Sequence, residues 1–167
     1  MGIDPNALSV SDTDEESAEL GKKMGEHDPE TGKITLYPAS FSEGKEELVG
    51  TLAHEWMHEK FNRVVNEFKK EEQLYKQGVG FNSGKLDVLR DISPVFSDSK
   101  RIYEQADGVT SYDKLMWARY DKEPTQQNYT LAAHETLGET ARLMQTGKAG
   151  EVSQAWIGLA TRVTRYA

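Results

Sequence analysis

A chain of 167 residues fits one domain and is long enough to bury a core without disulfides or a structural metal. It contains no cysteine, which excludes disulfide scaffolds, thiol nucleophiles and cysteine-ligated zinc, and leaves nitrogen and oxygen as the protein donors for any metal. A net charge of -8 argues against nucleic acid as the main partner, because phosphate binding needs clustered Lys and Arg; such a surface serves solubility first and attraction of basic peptides second.

Residues 1–15 are acidic and turn-rich and read as a flexible lead-in, with 16–167 as a single domain. They show no basic region followed by an apolar one, so no secretory signal is expected, and no stretch of the chain approaches the ~20 apolar residues of a membrane span. Residues 17–24 are expected to form a short helix. Asp28-Pro29-Glu30-Thr31-Gly32 carries turn chemistry. The alternating strand Ile34-Thr35-Leu36-Tyr37 comes next, and a second strand can precede the turn, although the residues there are poor strand formers.

Ser42 is the expected N-cap of a long helix, with Glu43, Glu46 and Glu47 near its positive end. The helix is predicted over 43–72 or a little beyond. Leu48, Leu52, Trp56, Phe61, Val64, Val65 and Phe68 recur at helical spacing within it. Residues 78–84 read as a loop. Further helices are predicted near 94–106, 111–120, 127–146 and 150–165. The fold class expected is α+β: mostly helical, with a small sheet.

Within the long helix, His54-Glu55-Trp56-Met57-His58 fits the pattern His-Glu-x-x-His. Residues four apart share a helix face, so two imidazoles there can converge on one ion at ~2.0–2.1 Å. Glu55 is rotated ~100° from His54. It can reach an attacking water without binding the metal, in the place of a general base. The bland alternative leaves all three on a solvated surface. Ala53, Trp56 and Met57 interleave with them, however, and two buried imidazoles without a metal or partner are costly.

A catalytic zinc needs a third protein ligand and an open position. No further histidine lies after the motif at a suitable spacing. The best donor segment is Ala132-Ala133-His134-Glu135-Thr136-Leu137-Gly138-Glu139. Glu135 and Glu139 share a face at i,i+4, with Gly138 beside them permitting close approach. Glu135 is assigned as third ligand, and Glu139 as the acceptor of a hydrogen bond from a ligand histidine. An ordinary solvated face, with Arg142 in a salt bridge, is the competing reading. His134 is a rival ligand whose better role is capping or packing.

Three stretches together resemble gluzincin metallopeptidases, and most closely the anthrax toxin lethal factor catalytic domain family. They are Thr51-Leu52-Ala53-His54-Glu55-Trp56-Met57-His58, the segment from Ser97 to Tyr112, and the run from Glu135 to Met144. The resemblance implies a zincin-like fold with an active-site helix, and zinc held by His54, His58 and Glu135. It also implies an oxyanion-stabilising tyrosine at Tyr112, which lies farther upstream of the Glu135 helix than in the family, so Tyr120 and Tyr129 compete for that role. The family's edge strand corresponds to Ile34–Tyr37, where a substrate backbone could add.

The expected function is zinc-dependent endopeptidase action on a polypeptide substrate. Alternatives are a metal-stabilised binding or structural module without proteolytic activity, and a helical interaction domain with an accidental motif.

Overall fold

Residues 3–17, 21–80 and 126–166 are described by a computed structural model. The expected helices near 94–106 and 111–120, and with them Tyr112 and Tyr120, lie outside the described residues.

The small sheet contains β1 (Leu8–Val10), β4 (Gly25–His27) and β5 (Ile34–Leu36) in the order β1-β5-β4. β5 runs parallel to β1 and antiparallel to β4. The β4–β5 turn is the one expected from sequence. Asp28 closes it, its carboxylate accepting from the Glu30 N–H at 2.9 Å and the Thr31 hydroxyl at 2.7 Å.

Two expectations for this region need correction. Residues 8–10 are not a detached lead-in, because they pair with β5 and give the sheet an outer strand. Residues 17–24 are not helical across their described part. β2 (Glu16–Ser17) and β3 (Gly21–Lys22) pair antiparallel instead. The physical reason is charge placement: Lys22 reaches Asp14 at 2.9 Å and Lys23 reaches Glu15 at 3.3 Å. Opposite charges across the pair support it, and Gly21, in the left-handed conformation (φ 75°), interrupts the helix-forming run. Asp14 also accepts from the Ala39 N–H at 3.1 Å, tying this hairpin to the next element.

That element is α1 (Pro38–Ser42), a short helix with Pro at its first position. Ser42 therefore ends α1 and donates its hydroxyl to the Ala39 carbonyl at 2.8 Å, rather than capping the long helix. The long helix α2 spans Lys45–Gln77, and Gly44 precedes it. At 1.5 Å per residue it is about 50 Å long. Gly78 ends it in the left-handed conformation (φ 66°), donating its N–H to the carbonyls of Leu74 and Tyr75. After the undescribed segment come α3 (Gln126–Gln145) and α4 (Gln154–Tyr166), as the sequence predicted within a few residues.

The core lies where α2, α3 and α4 meet. Ala53, Met57, Phe61 and Val64 of α2 pack with Leu137 and Ala141 of α3 and with Trp156, Leu159, Ala160 and Val163 of α4. The buried stripe of α2 is thus rotated from the predicted one: Phe61 and Val64 are shared, while Trp56 and Phe68 pack at its margin. Fully burying a Phe, Met or Val side chain stabilises by ~1.5–3 kcal/mol, so this cluster fixes α3 against α2. Tyr166 adds a hydroxyl donated to Glu67 at 2.6 Å.

The sheet covers another side of α2. A Cβ at Gly25 would lie 2.8 Å from Thr51 Cγ2 and 3.0 Å from Glu55 Cγ, so this face of β4 rests on the helix. Side chains alternate along a strand, so His27 shares that face. The pairing of Gly25 with Leu36 and of His27 with Ile34 puts those two buried residues there as well.

The hydrogen bonds also fix which peptide groups of β4 are paired. Tyr37 donates to the Met24 carbonyl at 3.0 Å and Asp28 to the Lys33 carbonyl at 2.9 Å. By antiparallel alternation, Glu26 bonds inward to β5 while the peptide groups of Gly25 and His27 point outward. β5 is the central strand, already paired on both sides, so Ile34–Tyr37 cannot be the edge to which a substrate adds. Among the described residues that open edge, on the side resting against Glu55, belongs to β4.

Candidate metal centre

His54 and His58 stand one helical turn apart on α2. Their rings meet edge to face, with centroids 4.8 Å apart and planes at 70°. The two Nε2 atoms approach to 3.0 Å. Glu135 arrives from α3, with Oε2 3.3 Å from His54 Nε2 and Oε1 3.5 Å from His58 Nε2. One donor atom from each of the three residues can be chosen so that all lie within 4.8 Å of one another. These are residues the sequence singled out as ligands.

Gly138 explains how α3 comes so close. A Cβ there would lie 2.9 Å from both Cε1 and Nε2 of His54. Any side chain would strike the imidazole itself. Gly138→Ala is expected to displace that ring and to cost ~1–3 kcal/mol of stability through overpacking. Urea unfolding would measure the loss, and a variant as stable as the parent would mean that α3 can shift without penalty.

Glu139, one turn beyond Glu135, takes the other side of the same imidazole: His54 Nδ1–H donates to its Oε1 at 2.7 Å. With Nδ1 so engaged, the neutral ring presents the Nε2 lone pair toward His58 and Glu135. Two lone pairs cannot face each other at 3.0 Å unless a proton or a cation lies between. Burial opposes a charge on His54, but the bonds to Glu135 and Glu139 outweigh it and raise its pKa well above the usual imidazole value. Burial first, then the neighbouring His54 charge, pushes His58 down to about 3, so it stays neutral. Glu135 is held ionised at about 2: burial opposes this, but the His54 bond and charge prevail.

The same atoms suit a divalent ion. Two donors at ~2.0–2.1 Å from a tetrahedral ion are separated by roughly 3.3 Å. The His54–His58 nitrogen separation of 3.0 Å lies close to that edge length, and the two imidazoles meet different oxygens of Glu135, at 3.3 and 3.5 Å. An N₂O donor set also matches the choice left to a chain without cysteine.

Glu55 is buried and is not one of the three converging residues. It leans toward β4, where a Cβ at Gly25 would come within 3.4 Å of its Oε1. Burial pushes its pKa up to about 7. A carboxyl with that value can both take and return a proton near neutral pH.

His134, the rival ligand, packs its ring edge-on against Phe61 at 5.1 Å and lies 5.7 Å from His58. Burial pushes it down to about 4. Tyr129 lies in the first turns of α3.

His27 and Gly25 escaped the sequence reading. His27 Nδ1 lies 3.5 Å from the Asn62 amide nitrogen, and its Nε2 is buried with no hydrogen-bond partner among the described residues. All four histidines of the chain gather here, since the charges of His54, His134 and His27 each act on His58. The scarcity of histidine outside the motif was the available signal, and only the strand register turns it into a place.

Among the described residues no helix is long and apolar enough to cross a membrane. Compared with known protein families, with curated proteins and with solved structures, the chain matches none.

Proposed function

We propose that this chain is a zinc-dependent endopeptidase of the gluzincin type, resembling the lethal factor catalytic domain family. The observation that carries the reading is the convergence of His54, His58 and Glu135 from two helices, with a buried carboxyl beside them. His54 Nε2, His58 Nε2 and a Glu135 oxygen would hold the ion. Zinc, when bound, supplies Lewis acidity toward the attacking water and the scissile carbonyl.

The chain's own groups do the rest. The substrate lies extended along the open edge of β4, bonded by the outward peptide groups of Gly25 and His27. Glycine at position 25 lets β4 rest directly on Glu55 and Thr51, where a Cβ would lie 3.0 Å from Glu55 Cγ and 2.8 Å from Thr51 Cγ2. Glu55 takes a proton from water as its oxygen bonds to the carbonyl carbon. It then returns that proton to the amide nitrogen as the carbon–nitrogen bond breaks. Glu139 holds His54 in the tautomer that offers Nε2. Tyr112, by resemblance alone, would donate to the developing oxyanion.

The second reading, a metal-stabilised module without activity, accounts for the ligands but not for Glu55. A structural site has no use for a buried carboxyl poised near neutrality. Metal analysis together with digestion of unfolded polypeptides tests the proposal. The expected result is one zinc per chain, cleavage that a chelator stops, and restoration by added zinc. Zinc without cleavage would leave the second reading, and no metal at all would end both.

A further inference from the structure

Behind the His54–Glu139 bond lies one more residue. Arg142, on the next turn of α3, donates from Nε to Glu139 Oε2 at 2.7 Å. Its NH1 donates to Glu47 Oε1, in the first turn of α2, at 3.4 Å. The Arg142 side chain crosses α2 at Gly50, where a Cβ would lie 2.8 Å from its Cγ and 3.4 Å from its Cδ. Glycine at 50 therefore makes the notch through which the side chain passes. The two oxygens of Glu139 are divided, one to the His54 imidazole and one to the guanidinium.

We infer that Arg142 is a positioning residue for the metal centre: it clamps the Glu139 carboxylate so that the other oxygen fixes the His54 ring, and so sets metal affinity from outside the ligand set. The inference rests on the zinc reading above. A carboxylate held by a guanidinium at one oxygen loses its freedom to turn. Its remaining oxygen then points steadily at Nδ1, and the opposite ring nitrogen points at the ion. Glu47 anchors the far end of the guanidinium to the other ligand-bearing helix. The competing role is a plain tie between α3 and α2, with no bearing on His54.

A double-mutant cycle separates the two. Zinc dissociation constants of the full chain are measured by competition with a chromophoric chelator for the parent, Arg142→Met, Glu139→Gln and the double variant. Groups directly behind metal ligands are worth ~10–100-fold in affinity, so Arg142→Met is expected to weaken binding about tenfold. In the Glu139→Gln background it should change nothing beyond about twofold, because the route to the metal runs through that carboxylate. Gly50→Ala should shift the parent in the same direction by crowding the stem.

An equal loss in both backgrounds, or no loss in either, would overturn the inference while leaving the zinc reading intact. A parent that binds no zinc removes both. If Arg142→Met does not fold, Arg142→Lys carries the comparison. It keeps the charge and stem but not the fork, and should weaken the parent about threefold and the Glu139→Gln chain not at all. Unchanged affinity in the parent background would again sink the inference.

Discussion

Glu55→Gln is expected to abolish peptide cleavage while the chain still binds its zinc. The substitution keeps the shape and one acceptor oxygen but cannot accept a proton. Loss of general-base catalysis costs roughly 100- to 10,000-fold in kcat, so residual turnover should fall near or below detection. The fold should survive, because the change replaces a buried ionisable group by a neutral one of the same size. Zinc content should match the parent, since Glu55 is not among the converging donors. Cleavage rates and zinc stoichiometry measured on the same preparation decide the matter. Undiminished cleavage would remove Glu55 from the chemistry, and with it the strongest reason to regard the site as catalytic.

The second large effect is expected from Glu135→Ala. Among the described residues it removes the carboxylate oxygens that lie 3.3 and 3.5 Å from the two ring nitrogens. Zinc affinity should fall by more than the ~10–100-fold that a residue behind a ligand is worth. Glu139→Gln, which acts through His54, should stay within that range. The order of the two losses is the informative quantity, and equilibrium competition for zinc measures it. Were the Glu139 variant the weaker binder, the two carboxylates would have to exchange roles, and the His54 Nδ1 bond would need another interpretation.

Local signals carried much of this architecture. The motif and the helical spacing of apolar residues both lie within α2, so its course and the joint facing of His54 and His58 could be read directly. Glu135, Gly138 and Glu139 are likewise contained in a single helix, and the value of a small residue between the acids is visible from their common face. The elements that escaped depend on partners far along the chain. Gly25-Glu26-His27 has poor strand propensity, and becomes β4 because the Asp28 turn folds it onto Ile34–Leu36. Leu8-Ser9-Val10 alternates as a strand should, but its acidic flank obscures it and its pairing with β5 is parallel and non-local. Pro38 opens a short helix that consumes Ser42, a competition invisible when Ser42 is judged only by the residues after it. Gly50 has no local mark at all, for its role is defined by Arg142 arriving from α3.

The donors come from α2 and α3, and a long stretch of chain separates His58 from Glu135. An ion bound to both helices would be a removable staple across a large loop, added to the apolar cluster and the Arg142–Glu47 bridge that already join α2 and α3. At a free zinc level a thousandfold above its dissociation constant, such a staple adds about 4 kcal/mol to the folded state. On the proposed zinc reading, the apoprotein and the loaded protein would be two materials of different toughness, and supply of the metal would govern how long a molecule survives.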